Sequence, residues 1–447
     1  MLALAGTLAA QPTAVTLGQA VESALKRYPS IQVSREEMAR AAAAIQLART
    51  AYLPRVEALA QVNRATRNNV FGMLLPQSVI PPISGPVLGS NNLGTAWGSA
   101  LGALVTWEPF DFGLRRANTA IAGAERAQSE AALRRTQFDV AVAAADAYLT
   151  LVAAGETVAA AKAGVDRAEV VVRTTAARVD AQLRPGADQS RAEAELAAAR
   201  TQWIQAQQAA EIARATLAQF TGNDPSQLSV ATGGLLGPAP EQTPPPLDTA
   251  ANPVLGEQNA TIETARAHLR ALERSFFPRF YLQGSAYARG TGAEMGGGRL
   301  GGVNGLAPDV QNYALGFSVS FPLSDLPALH AREAAQSATV RAEAARAETI
   351  AVEIRAQWNR AVAALGGARR IAANTPVQVS AARAAATQAA ARYQSGLGII
   401  DEVASAERLL TQAEIDDAIA RLNVWRGLLG IAAAAGNIEP FLVEANR

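Results

Sequence analysis

The stretches RVDAQL at 178–183 and RYQSGL at 392–397 share their first and last residues and lie 214 residues apart. The same offset pairs further positions in the same order along the chain: Asp188 with Glu402, Ala192-Glu193 with Ala406-Glu407, and Gly222-Asn223 with Gly436-Asn437. Ordered matches at a single offset indicate an internal repeat, and a repeat constrains the fold more strongly than any local pattern.

The repeat extends toward the N-terminus with a second offset. LPR at 53–55 matches FPR at 277–279, and Tyr28-Pro29 matches Asn252-Pro253, each 224 residues apart. A loop between the two sets of matches therefore differs in length between the copies. We expect a first repeat at 15–232, a Pro- and Gly-rich linker at 233–250 and a second repeat at 251–447.

Both repeats show the same order of hydrophobic patterns. In the first we expect a helix at about 17–52, a strand pair within 55–107, a long helix at 113–182 and a return helix at 187–221. In the second we expect a helix at about 253–277, a strand pair within 279–321, a long helix at 328–395, a return helix at 400–435 and a C-terminal tail. The strand segments alternate large apolar with small or polar residues, which is the period-2 pattern of a half-buried strand.

The return helices carry apolar residues at alternating spacings of three and four. In the first repeat the stripe runs from Leu196 to Phe220, and in the second only Asp417 interrupts its equivalent. A period of 3.5 residues predicts supercoiled helix packing. The abundant Ala favours long helices that approach one another closely.

Composition excludes several classes of function. The 447 residues have a net charge of +1, no Cys and two His, so the chain lacks the basic field of a nucleic-acid binder. Thiolate and His-rich metal sites are excluded, and no catalytic constellation or cofactor motif stands out. We therefore expect neither an enzyme nor a bound metal or cofactor. Residues 1–14 are typical of a secretory signal remnant or a disordered N-terminus.

Four amphipathic strands cannot close a barrel, and an open sheet in lipid would leave its edge N–H and C=O groups without partners. Three copies of the chain would supply about twelve strands with apolar residues facing outer-membrane lipid. The helices are too polar to enter the bilayer and must continue in water. The patterns thus predict a homotrimer that spans a membrane through strands.

Several short motifs resemble those of the TolC-like outer-membrane efflux family, also called outer membrane factors. RYQSGL at 392–397 with EVASAERLL at 402–410 is similar to that family's tip motif, and PLSD at 322–325 is similar to its strand-exit signature, with WEPFDFG at 107–113 as the first-repeat copy. The resemblance implies a mixed fold of all-α coiled coil plus β, with a two-repeat subunit. As a trimer it would form a 12-stranded outer-membrane β-barrel continued by a long periplasmic α-helical barrel.

The same resemblance implies a function without chemistry. The chain would be the outer-membrane channel subunit of a tripartite efflux system, a passive gated conduit with a large periplasmic part. It would carry small molecules, such as drugs and toxic compounds, to the exterior. They would arrive from an inner-membrane transporter of the resistance–nodulation–division (RND) type through a periplasmic adaptor protein.

In that family acidic residues near the second tip form rings around the periplasmic gate. Glu402 occupies the first such position and Ser405 the second, where the family has an acid, so Asp401 is a candidate to compensate. In the first repeat Asp188 lies opposite Glu402, and Arg191 lies opposite Ser405. We expect Arg191 to pair with an acid on a neighbouring hairpin and hold the gate shut. The alternative is a solvated helix end, where acids favour the helix dipole.

The resemblance also implies that the adaptor docks on the hairpin tips. The turn at Gly396 and Leu397 is the main candidate, with Leu183 as its counterpart in the first repeat. Gln182 stands where the second repeat has Gly396, so the two docking grooves are expected to differ. The full set of docking candidates is Arg178, Leu183, Arg392, Tyr393, Gly396 and Leu397.

Two alternatives to drug efflux remain open within the channel class: the outer-membrane component of a type I protein secretion system, and that of a metal efflux system. A further alternative is a soluble periplasmic coiled-coil adaptor or scaffold, which long helical hairpins alone would fit. The duplicated strand pairs argue against that alternative.

Overall fold

The computed structural model describes residues 14–66, 95–237, 240–241, 243–244, 246–294 and 299–446. The predicted signal remnant at 1–14 lies almost wholly outside the described residues, as does the segment at 68–94 between the two strands of the first predicted pair. In chain order the named elements are β1 (Ala14–Val15), α1 (Leu17–Arg27), α2 (Pro29–Thr50), β2 (Arg55–Thr66), β3 (Thr95–Phe110), α3 (Leu114–Asp180), α4 (Gly186–Thr221), β4 (Ser229–Val230), α5 (Pro253–Arg274), β5 (Arg279–Thr291), β6 (Val310–Ser320), α6 (Leu326–Gln394), α7 (Ile400–Ala435) and α8 (Glu439–Ala445).

The repeat found in the sequence is also a repeat of structure. Helices α2 and α5 have 22 residues each and begin 224 positions apart, as β2 and β5 do. Helices α4 and α7 have 36 residues each and begin 214 positions apart. Both end at a glycine in the left-handed conformation, Gly222 with φ 70° and Gly436 with φ 77°. A left-handed glycine satisfies the last helical carbonyls without a Cβ penalty.

One compact unit contains the four-stranded sheet and comprises Ala41–Glu125 and Glu263–Arg341. The strand order is β2-β3-β5-β6 and every neighbouring pair is antiparallel. One row across the sheet joins Val56, Val105, Gly284 and Leu315. The apolar side chains on this face are exposed, among them Val56, Leu101, Val105, Leu282, Leu315 and Phe317.

The opposite face of the sheet carries mostly small and polar residues, with Leu59 and Leu104 among the exceptions. Register places Thr106 beside Gln283, and Gln283 beside Gly316. The alternation predicted from the sequence is therefore present in three dimensions. Strands β2 and β6 form the two edges of this sheet, and each has one neighbour within the described chain.

The other compact unit comprises the residues up to Arg40, Arg126–Ile262 and Ala342–Arg447. Its core packs α1 against α3, α4, α7 and α8. Tyr148 is fully buried there, and its hydroxyl donates to the carbonyls of Val15 and Ala231 beside the parallel pair β1–β4. Burial raises the pKa of Tyr148 to about 12, so the phenol stays protonated and remains a donor.

The prediction of one continuous N-terminal helix at about 17–52 is wrong, because the structure has two helices there. The chain breaks into α1 and α2 at Tyr28, which is extended with φ −66° and ψ 127°. The cause is Pro29, whose ring disfavours the helical conformation of the residue before it. Conversely, Pro376 lies inside α6, which continues through it.

Asp417, which interrupts the apolar stripe of α7, has a polar partner on the neighbouring helix. It accepts a hydrogen bond from the buried Thr375 hydroxyl at 2.7 Å and pairs with Arg421 at 3.0 Å. One helix, α3, also contains an 18-residue window apolar enough to cross a membrane by length and composition. Half of that window is buried within the described chain, as is typical of a core helix.

Candidate functional site: the tips of the two helical hairpins

The turn between α3 and α4 closes the first hairpin. Gln182 adopts a left-handed conformation with φ 59°, the backbone N–H of Leu183 donates to the Arg178 carbonyl at 2.8 Å, and that of Gln182 donates to the Val179 carbonyl at 2.9 Å. These paired bonds form a Schellman motif, which satisfies carbonyls left free at a helix C-terminus.

The second hairpin closes in the same way 214 residues later. Gly396 has φ 84°, Leu397 donates to the Arg392 carbonyl at 2.9 Å, and Gly396 donates to the Tyr393 carbonyl at 3.2 Å. The tips are therefore geometrically equivalent although Gln182 replaces glycine in the first. A non-glycine residue in this conformation is uncommon and costs on the order of 1 kcal/mol.

Tyr393 joins the two hairpins. It is only 3% exposed, and the guanidinium groups of Arg178 and Arg184 lie 5.7 and 4.6 Å from its ring centroid. Its hydroxyl donates to Asp188 on α4 at 3.3 Å. The first hairpin thus surrounds the last turn of α6 with two cations and one carboxylate.

The same two arginines bind the C-terminal carbonyls of α6. Arg178 donates to Tyr393 at 3.0 Å and to Gln394 at 2.6 Å, and Arg184 donates to Tyr393 at 3.1 Å and to Gly398 at 3.0 Å. Cations at a helix C-terminus are favoured by the helix dipole as well as by these bonds. We call Arg178, Arg184, Asp188 and Tyr393 the tip clamp.

Three linked ion pairs lie beside the tip clamp. Arg191 on α4 pairs with Asp401 on α7 at 3.0 Å and with Glu195 on its own helix at 3.2 Å. Arg408 on α7 pairs with Glu195 at 3.7 Å. The predicted partner of Arg191 on a neighbouring hairpin is therefore Asp401 of the same chain.

The other predicted gate residues lie on the first turns of α7. Glu402 pairs with Arg392 at 3.6 Å, and both side chains are largely exposed. Ser405 is exposed and accepts a hydrogen bond from Arg408 at 3.5 Å. Asp401 and Glu402 both fall in the first turn of α7, where the helix dipole favours negative charge.

Further along the helices, Arg167 on α3 links the hairpins again. It pairs with Glu407 at 2.9 Å and Glu414 at 3.0 Å, both on α7. Burial raises the pKa of Glu407 above its ordinary value, an effect that the attraction of Arg167 only partly offsets and the nearby Glu414 increases. The contact between the hairpins is thus polar as well as apolar.

Of the predicted docking residues, the two leucines are the most exposed. Leu183 is 73% exposed and Leu397 is 76% exposed, each at the apex of its turn. Arg178 and Tyr393 instead contact each other between the hairpins. Sequence reasoning missed Arg184, which stands opposite Gly398 in the repeat and so has no counterpart to mark it.

The match to a known protein family follows the two repeats. The model of the family described as "Outer membrane efflux protein" matches residues 20–223 and 248–437, which leaves out the linker. The chain belongs to the outer membrane efflux protein family. This family comprises transport conduits rather than enzymes, and its members are outer-membrane channels with a large periplasmic helical part.

Solved structures share the fold over almost the whole chain. The outer-membrane channel OprN has 23% identity and a TM-score of 0.73, covering 94% of this chain and 90% of its own. The CmeC channel of Campylobacter jejuni has 15% identity and a TM-score of 0.76, covering 94% and 85%. VceC of Vibrio cholerae has 18% identity and a TM-score of 0.72, covering 94% and 96%. Comparison with curated proteins gives no match.

The resemblance to TolC-like channels is therefore confirmed. This outer membrane efflux protein is located in the outer membrane and acts as an efflux channel. The hairpin tips belong to its periplasmic helical part.

Proposed function

We propose that three copies of this chain form the outer-membrane channel of a tripartite efflux system. The observation that carries the proposal is the sheet with two edges. Strands β2 and β6 run in opposite directions in an all-antiparallel sheet, so β6 of one copy fits β2 of the next in the same antiparallel sense. Three four-stranded sheets give about twelve strands, with the exposed apolar face toward lipid and the polar face toward water.

The proposed cargo is small molecules, including drugs and toxic compounds. An inner-membrane transporter of the RND type would supply the energy, and a periplasmic adaptor would connect it to the channel. The polar face of the sheet, with Thr106, Gln283 and Ser318, suits a water-filled passage that discriminates little among solutes.

The gate in this proposal is at the hairpin tips. Asp401, Glu402 and Ser405 of α7 line the periplasmic aperture, opposite Asp188 and Arg191 of α4. The Arg191–Asp401 pair and the tip clamp hold the second hairpin against the first, and the gate opens when these contacts break.

The gate proposal is tested by charge reversal at Arg191 and Asp401. Exposed ion pairs contribute about 0.2–1 kcal/mol each, so the three pairs of a trimer stabilise the closed state relative to the open state by a few kcal/mol at most. Arg191→Asp and Asp401→Arg should each raise the conductance of the resting channel in planar bilayers, and the double variant should restore it. Equal conductance in all four proteins would refute a latch at this pair.

Adaptor docking in this proposal uses the exposed leucines of both tips. An acidic side chain at Leu397 would put a charge on the apolar apex, which binding would have to desolvate. Leu397→Asp should therefore abolish efflux in cells without lowering the amount of channel in the outer membrane, whereas Leu397→Met should retain it. Efflux at the wild-type level by Leu397→Asp would contradict docking at this tip.

A further inference from the structure

The structural repeat has a consequence for the contact between copies. The turns, the return helices and their C-terminal glycines all match at an offset of 214 residues. In a closed ring, α6 and α7 of one copy meet α3 and α4 of the next. We call this contact the seam, and by the repeat it takes the geometry of the contact between hairpins within one chain. Each contact between the two hairpins of one chain therefore predicts a seam contact. Its residues are found by adding 214 to the residue number in the first hairpin and subtracting 214 from the residue number in the second.

The ion pairs between the two hairpins of one chain do not transfer to the seam. The twin of the Arg191–Asp401 pair is Ser405 facing Ala187, two exposed residues without charge. The twin of the Glu195–Arg408 pair is Leu409 facing Ala194. Both of these ion pairs are thus replaced by uncharged side chains at the seam.

The tip clamp loses two of its four members in the same way, whereas Arg178 and Asp188 are matched by Arg392 and Glu402. Tyr393 is replaced at the seam by Val179, and Arg184 is replaced by Gly398. Only Arg178 has an equivalent cation, which is Arg392. The Arg392 side chain is 60% exposed, and its partners within its own chain are distant: the Leu397 carbonyl at 3.3 Å and Glu402 at 3.6 Å.

Side-chain volume supports packing of a second copy on this face. Gly164 on α3 lies so close to Thr411 on α7 that a Cβ at 164 would lie 3.5 Å from the Thr411 Cβ. At the seam Gln378 corresponds to Gly164 and Ala197 corresponds to Thr411, so the larger side chain is on the other helix of the pair. A small residue still faces a larger one, as a close helix contact requires.

We propose that a second copy of this chain occupies this face in the repeat-related geometry, with Arg392 binding the carbonyls at the end of the neighbour's α3 and no ion pair at the Ser405–Ala187 position. The inference rests on the proposed trimer and adds its residue-level contacts. The closed gate then has three latched contacts, one inside each subunit, alternating with three seams that lack those latches.

Disulfide trapping tests the geometry, because the chain contains no native Cys. Cβ atoms must lie about 3.5–4.5 Å apart for a disulfide. The variant with Ala197→Cys and Gln378→Cys should therefore oxidise to covalent dimers and trimers on denaturing gels. The matched internal pair, Gly164→Cys with Thr411→Cys, should oxidise within one chain and keep the monomer mass.

The outcomes separate this inference from the proposed function. A wild-type protein that is not trimeric in detergent would overturn both. A trimeric wild type whose 197–378 variant remains monomeric on denaturing gels would overturn the seam geometry alone. If the oxidised pair fails to assemble, Ala194→Cys with Leu409→Cys and a short bis-maleimide provide the second measurement, with the same expected covalent trimer and the same contrary result.

Introducing an ion pair at the seam tests the proposed difference between the seam and the contact within one chain. Ala187→Asp with Ser405→Arg copies the Arg191–Asp401 pair onto the seam. The double variant should lower the open fraction of the channel relative to both single variants. A double variant that opens as often as the singles, in an intact trimer, would contradict the proposed placement of Ser405 beside Ala187.

Discussion

Replacing Arg184 by alanine tests whether the tip clamp holds the hairpins together. Arg184 donates to two carbonyls at 3.1 and 3.0 Å and stacks on the Tyr393 ring at 4.6 Å. Hydrogen bonds from charged groups contribute about 1.5–3 kcal/mol each when buried, and a partly exposed cation–π contact about 0.5–1 kcal/mol. Arg184 is half-buried, so solvent lowers these figures and leaves about 2–3 kcal/mol for the whole side chain.

That energy corresponds to a shift of about 30- to 150-fold in the closed-to-open ratio per hairpin, since about 1.4 kcal/mol is tenfold. We expect Arg184→Ala to spend far more time open in planar bilayers than the wild type. Arg184→Lys should be intermediate, because an ammonium keeps the charge but loses the planar fork.

The matched control is Arg173→Ala, an exposed arginine on α3 outside the tip clamp. It should gate as the wild type does. If Arg184→Ala and Arg173→Ala show the same open fraction in equally stable trimers, the clamp does not restrain the hairpins and the reasoning fails.

Three further predictions concern stability. Asp111 accepts backbone hydrogen bonds from Gly113 and Arg115 and pairs with the Arg115 side chain at 3.0 Å. Asp111→Asn should therefore lower the free energy of unfolding by about 3–5 kcal/mol, measured by thermal unfolding of the detergent-purified protein. Asp325, the matching residue of the second repeat, is exposed, so Asp325→Asn should lower it much less. Leu217→Ala removes a fully buried side chain and should cost about 2.7–5 kcal/mol, whereas Leu183→Ala at the exposed tip should leave the melting temperature unchanged. Burial raises the pKa of Glu407 above its ordinary value of 4.5, so the stability that Glu407 contributes is present below pH 4.5 and is lost as the pH rises through the higher folded-state pKa. The melting temperature of Glu407→Gln, measured against pH, should lack this loss. Identical pH profiles for the variant and the wild type would contradict the prediction.

The repeat, the strands and the helices could be predicted from the sequence because each rests on a local or periodic pattern. The duplicated RVDAQL and RYQSGL turns fixed the register, and α7 spans Ile400–Ala435, the range expected for the second return helix. The break at Tyr28 was missed because the amphipathic pattern continues across Pro29, although the steric conflict is local.

The contacts at the tips could not be predicted in the same way. Arg178 and Tyr393 were expected at a docking surface, and the structure instead places them against each other between hairpins. Their sequence separation of more than 200 residues leaves no periodic signal. Arg184 had no matching residue in the second repeat, and it is this lack of symmetry that distinguishes the internal contact from the seam.

The number of chains in the purified outer-membrane protein tests the central claim most directly. The account predicts that native mass measurement of the detergent-extracted protein gives three chains, and that this species forms ion-conducting channels in a planar bilayer. A monomer recovered from the soluble periplasmic fraction, without conductance, would contradict it and favour the coiled-coil scaffold.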